Sequence, residues 1–84
     1  MKTLVLYDIS SDKERKKIAD LCLDYGLERN QKSVYLGELN QWLNTQLVKE
    51  LRAKIPKSKS SIAVYLIDSF SEKRKLIFEV KRRE

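Results

Sequence analysis

The sequence predicts an α+β domain of the order βαββαβ with one additional strand at its C-terminal end. Three observations carry this. Apolar runs of strand length alternate with two longer stretches of helical period. Each of those stretches opens on a good N-cap and closes on Gly or Pro. The 84 residues hold no internal repeat and no low-complexity tract, so 1–84 reads as one small domain.

Residues 3–9 form a mostly apolar run ending in Tyr7-Asp8-Ile9, the pattern of a strand buried on both faces. Ser11-Asp12-Lys13-Glu14 matches a capping box, with the Ser11 hydroxyl and the Glu14 carboxylate placed to satisfy early helix amides. The helix runs to about Tyr25, with Ile18, Leu21, Cys22 and Tyr25 on its apolar face, and Gly26 supplies a left-handed terminator. Residues 27–31 and 33–39 read as two strands, though the interruption at Gln31-Lys32-Ser33 suits either a tight hairpin or a bulge. Asn40 caps a second helix whose stripe is Leu43, Leu47, Val48, Leu51 and Ile55, and Pro56 stops it. After the polar loop 57–60, residues 61–68 read as a buried strand and 69–74 as a polar turn. Residues 76–80 make a last short strand, followed by the basic tail 81–84. That order is the ferredoxin-like split βαβ pattern with an addition. The fold hosts many activities and names none of them.

Composition narrows the function classes. The chain carries a formal net charge of +6 and a pI near 9.6, which suits a polyanionic partner, nucleic acid first. The plainer account is a surface rich in Lys and Glu, since 36% of residues are charged. One Cys and no His exclude a Cys/His zinc site and a disulfide framework. Cys22 lies on the apolar side of its helix and reads as core. The first apolar run is too short for a signal peptide or a membrane span, so a cytoplasmic protein with no membrane partner is expected.

Asp8 is the acid best placed for chemistry, near the carboxyl end of a central strand where open α/β sheets hold ligands. It could hold Mg²⁺, which is often bound by one or two carboxylates and keeps several waters. The plainer reading of the residues alone is an Asp that caps the following helix. One carboxylate and no His are poor equipment for hydrolysis, unless a twofold axis brings a second Asp8 alongside. Arg15, Lys16, Lys17, Arg29 and Lys32 could contact phosphates, or form a solvated face. The loop lysines 57 and 59, the turn 73–75 and the tail are further candidates. Tyr35, Tyr65 and Phe78 read as packing residues, and Trp42 as a local staple or an interface anchor. No phosphate-binding glycine loop, nucleophile elbow or zinc-binding helix is present.

Tyr7-Asp8-Ile9, the segment Gly26-Leu27-x-Arg29-x-Gln31-x-Ser33-Val34 and the run Gly37-Glu38-Leu39 together resemble the CRISPR-associated Cas-two family. The resemblance covers about residues 3–55 by motif and the rest by element order. It implies a ferredoxin-like homodimer whose terminal strand often adds to the other subunit's sheet. It implies a bridge between two dimers of the Cas-one integrase that helps hold duplex DNA during spacer acquisition. Some members are described as endonucleases cleaving single-stranded RNA or double-stranded DNA with Mg²⁺, with Mn²⁺ as an alternative ion. The family's metal aspartate falls on Asp8, its basic residues on Arg15 and Arg29, and its serine on Ser33, with Tyr7 and Tyr35 in support. Lys17 stands at a second basic position without the bidentate fork of arginine, and Tyr35 stands where Phe is usual. Leu36 replaces a frequent acid, and Ser11-Asp12 a frequent acidic pair. A ferredoxin-like nuclease toxin, an endoribonuclease outside CRISPR, is the rival reading. A DNA-holding bridge in which Asp8 is dispensable is the structural one.

Overall fold

Among the described residues, seven elements follow one another in the expected order: β1 (Lys2–Ile9), α1 (Asp12–Asp24), β2 (Glu28–Gln31), β3 (Val34–Glu38), α2 (Gln41–Lys54), β4 (Ser60–Ile67) and β5 (Arg74–Arg82). The structure is a computed structural model that describes residues 2–57, 59–67 and 74–82. Of the turn expected at 69–74, residues 69–73, with Asp68 before them and the last two residues of the tail, lie outside the described residues, and Arg74 already belongs to β5.

The caps form as their chemistry requires. The Ser11 hydroxyl accepts a hydrogen bond from the Glu14 amide at 3.3 Å, but the expected return bond of the capping box is not made: the Glu14 carboxylate sits 3.5 Å from Lys17 Nζ instead. Gly26, at φ +85°, closes α1 in a Schellman turn: its amide donates to Leu23 O and the Leu27 amide to Cys22 O. The Asn40 side chain accepts from the Leu43 amide at 2.8 Å. Ile55 is extended (ψ 131°), as a residue before proline should be, so α2 ends there.

All strands are antiparallel in one sheet of order β2-β3-β1-β4-β5. The first four strands make the ferredoxin-like arrangement, and β5 extends it beyond β4. β2 and β3 form a tight hairpin that also carries a bulge. Lys32-Ser33 is the turn, with Ser33 at φ 70°, and the register shifts between Arg29 and Gln31. β5 is longer than hydrophobicity alone marks. It takes in Lys81 and Arg82, which pair with Ser61 and Ser60. Charged residues on an exposed strand look like tail in sequence, because only backbone pairing defines them as strand.

The sheet has two different faces, since alternate residues of each strand point opposite ways. On one face Val5, Tyr7, Ile9, Tyr35, Ile62, Val64 and Phe78 pack with Ile18, Leu21 and Cys22 of α1 and Leu47 and Leu51 of α2 to form the core. Burial pushes the Cys22 thiol up to about 12, as befits an inert core residue. Thr3, fully buried on the same face, donates to Asn44 Oδ1 at 3.0 Å and ties β1 to α2. Gly37 is needed where β3 passes Leu27: a Cβ there would lie 2.9 Å from Leu27 Cδ2 and 3.2 Å from its Cα. The opposite, open face carries Leu4, Leu6 and Asp8 from β1, Val34 and Leu36 from β3, and Ser61, Ala63 and Tyr65 from β4. No described helix covers it.

Candidate nucleic-acid and metal site

The nine residues singled out in sequence separate into three places. Asp8 lies on the open face, exposed, next to the last residue of β1. Its backbone partner on β4 is Ser61, whose partner on β5 is Lys81. A carboxylate, a hydroxyl and an ammonium group thus stand in one row across three adjacent strands, the outer two about 10 Å apart by strand spacing. The next row is Leu6, Ala63 and Glu79. A shallow cleft of about 230 Å³ opens at this end of the sheet, lined by Asp8, Ser10, Lys59, Ser61, Lys81 and Arg82 among others. A second depression of about 190 Å³ adjoins it on the open face and takes in Asp8 and Glu79.

Tyr7, Arg15, Lys16, Arg29, Lys32, Ser33 and Tyr35 gather on the other side of the sheet. They line a groove of about 190 Å³ between α1 and the β2–β3 hairpin. Tyr7 and Tyr35 stack there, ring centroids 6.0 Å apart and planes at 18°. Burial and then the Tyr35 hydroxyl push Tyr7 up to about 12, against a smaller pull from Arg29, so the phenol is a neutral hydrogen-bonding group at physiological pH. Lys17 belongs to neither place. It faces α2, beside Glu14, Ala53 and Lys54. Side chains two apart on a helix do not share a face, which separates it from Arg15.

Arg15 and Arg29 differ in what already holds them. Arg15 donates from Nη1 to Ile9 O at 3.1 Å and from Nη2 to the Asp12 carboxylate, clamping the start of α1 to the end of β1. Arg29 stands exposed on the short edge strand β2. Arg15→Ala should therefore cost about 1–2 kcal/mol of stability as well as phosphate affinity. Arg29→Ala should reduce affinity and the steepness of its salt dependence with the melting temperature nearly unchanged. Thermal melts beside salt-titrated binding check this, and equal melting shifts for the two variants would refute it.

The residue types at the cleft fit a hard cation held mainly by water. Asp8 supplies one charged oxygen, Glu79 lies one row away, and the Ser10 and Ser61 hydroxyls add neutral oxygens. Among the described residues no three His, Cys, Asp or Glu converge to hold an ion by themselves. Sequence reasoning did not find Ser61 and Glu79. Nothing local marks them, because strand register alone brings them to Asp8. Trp42 is 68% exposed in the first turn of α2, too exposed for a staple.

A sequence profile described as CRISPR associated protein Cas2 matches residues 1–75. The chain belongs to the Cas2 family. A CRISPR-associated endoribonuclease Cas2 from Chloroflexus aurantiacus is 36% identical over 69 residues, which span 82% of this chain and 81% of that one. One from Pyrobaculum aerophilum is 38% identical over 68 residues, 81% of this chain and 75% of that one. A Thermoproteus tenax protein described as a Cas1/Cas2 endonuclease fusion is 35% identical over 68 residues, 81% of this chain but 26% of its own length. The crystal structure of Streptococcus pyogenes Cas2 at pH 6.5 superposes with a TM-score of 0.70 at 30% identity, covering 81% of this chain and 87% of that one. The ferredoxin-like fold of this Cas2-family chain therefore matches a solved Cas2. The match through residue 75 includes Asp8 and the groove residues, and ends just inside β5.

Proposed function

We propose that this chain is a CRISPR adaptation protein that acts as a homodimer, binds nucleic acid, and cleaves RNA with Mg²⁺ or Mn²⁺ through Asp8. The observation that carries this is the exposed Asp8 carboxylate at the end of the central strand, set in a cation-lined cleft of a Cas2-family chain. RNA is the first substrate to test because relatives are named endoribonucleases. Duplex DNA is the second. Asp8 would hold the ion, with Ser61 and Glu79 beside it. Bound Mg²⁺ would polarise the phosphate and lower the pKa of an attacking water. Arg29 and Lys32 contribute sequence-independent phosphate contacts along the groove, and Arg15 and Lys16 the remainder.

The open face supports the dimer. The half-buried Leu6, Val34, Leu36 and Tyr65 form an apolar surface that a second copy would cover, and a twofold axis near Asp8 would set two carboxylates at one site. Light scattering at micromolar concentration should give twice the 9.9 kDa chain mass. A monomer would remove the shared site. The Thermoproteus fusion, which joins Cas1 to Cas2 in one chain, supports the integrase as partner. A cytoplasmic setting fits such partners. A nuclease toxin of similar fold shares only the architecture, and family membership favours the CRISPR role.

One observation favours a second reading. With one well-placed carboxylate per chain and no His, the protein is better equipped to hold nucleic acid than to cut it. Cleavage of single-stranded RNA and duplex DNA, followed with Mg²⁺, Mn²⁺ or chelator, separates the two. Chelator-reversible cleavage establishes the nuclease. Binding without cleavage under every ion establishes the bridge.

A further inference from the structure

We infer that the Asp8 cleft is a phosphate seat, in which Ser61, Lys81, Lys59 and Arg82 hold a backbone phosphodiester of the nucleic acid against Asp8 before any metal ion is bound. This deepens the reading of Asp8 as the reacting site and rests on it. It adds to the groove on the helix side a second binding group, at the sheet end that bears Asp8.

The charges at the cleft point to an anionic ligand. Three cations, Lys59, Lys81 and Arg82, line it with a single carboxylate. Adding Glu79 from the neighbouring row leaves cations in excess. Lys81 is paired with Glu79 at 3.3 Å, but both side chains are substantially exposed, and such surface pairs are worth little. Lys81 is therefore free to exchange Glu79 for a phosphate oxygen. The row Asp8–Ser61–Lys81 sets the geometry. The Ser61 hydroxyl stands between carboxylate and ammonium, placed to donate to a phosphate oxygen lying between them. Arg82 pairs with Ser60 at the end of β5 and Lys59 immediately precedes Ser60, so both stand at the end of the sheet where the cleft opens.

These cations should also weaken a divalent ion at Asp8 while the cleft is empty. Like charges within a Debye length repel, and one carboxylate opposes them. A seated phosphate reverses the local sign and supplies oxygens that the protein lacks. Nucleic acid and metal thus bind in a linked order, phosphate first, and each raises the other's affinity.

The test uses Lys81→Gln and, as a second variant in the loop, Lys59→Gln. Lys54→Gln on α2 removes the same charge from the far side of the sheet. Affinity for a short labelled RNA is measured in chelator across salt, and Mn²⁺ affinity is measured on the free protein. Each cleft variant should weaken RNA binding roughly three- to tenfold and lower the salt slope by about 0.7, the single-strand value for one lost contact. Each should at the same time bind Mn²⁺ more tightly than the unsubstituted protein. Opposite shifts for the two ligands cannot arise from misfolding, which weakens both. If the cleft variants match Lys54→Gln in both titrations, the phosphate seat is wrong. Neither titration needs turnover, so an unsubstituted protein that binds RNA and Mn²⁺ without cutting would sink the nuclease reading and leave this inference to stand on its own data.

Discussion

Asp8→Asn is expected to abolish the proposed metal-dependent cleavage and to leave the proposed dimer and duplex binding near normal. The substitution keeps the shape of the side chain and removes its charge. Asp8 is exposed, so neither the core nor a buried hydrogen bond depends on it. Loss of the one carboxylate at the ion's position should lower the rate by at least about 10²-fold, the scale on which a single charge-stabilising group contributes. Phosphate affinity should stay level or rise slightly, because the cleft cations lose the opposing charge of Asp8. Integrase-dependent spacer capture should survive, since a bridge depends on surface shape. The assay runs cleavage of RNA and duplex DNA with Mg²⁺, Mn²⁺ or chelator beside an integration reaction. Full cleavage by the variant would place the active centre elsewhere. Loss of integration with the fold intact would give Asp8 a role beyond hydrolysis.

Leu47→Ala is expected to be strongly destabilising. Leu47 is fully buried where α2 meets the sheet, in a cluster that includes Leu51, Ile18, Val5 and Val64. Its truncation should cost about 2–5 kcal/mol through lost burial and the cavity left behind. An 84-residue domain has roughly 4–13 kcal/mol to lose, at about 0.05–0.15 kcal/mol per residue. The variant should therefore melt well below the parent or fail to fold at 37 °C. Nucleic-acid affinity per folded molecule should stay unchanged, because Leu47 touches neither the groove nor the cleft. Urea titration checks the first point, and binding at low temperature the second. A loss below about 1 kcal/mol would mean that the helix layer is not the main source of stability.

Element order, both helices with their caps, and the core stripes could be read from local chemistry. Ser11 and Asn40 hold polar atoms that reach the first free amides, Gly26 accepts a positive φ, and Pro56 cannot continue a helix. Ile18, Leu21 and Cys22, like Leu47 and Leu51, recur at helical spacing because only one helix face meets the sheet. The candidate site was legible as a set of residues and not as an arrangement. Tyr7 and Asp8 are adjacent in sequence, yet alternation along β1 sends them to opposite faces of the sheet. Arg15 and Arg29 therefore share a groove with Tyr7 and not with Asp8. Ser61, Glu79 and Lys81 come to Asp8 through strand register, a relation between residues more than fifty positions apart that no local pattern encodes. Local residue chemistry determined the elements and their ends. Only the pairing of strands decided which charges meet, because the register is selected by the apolar residues that must reach the core, and the charges on the other face are carried along with it.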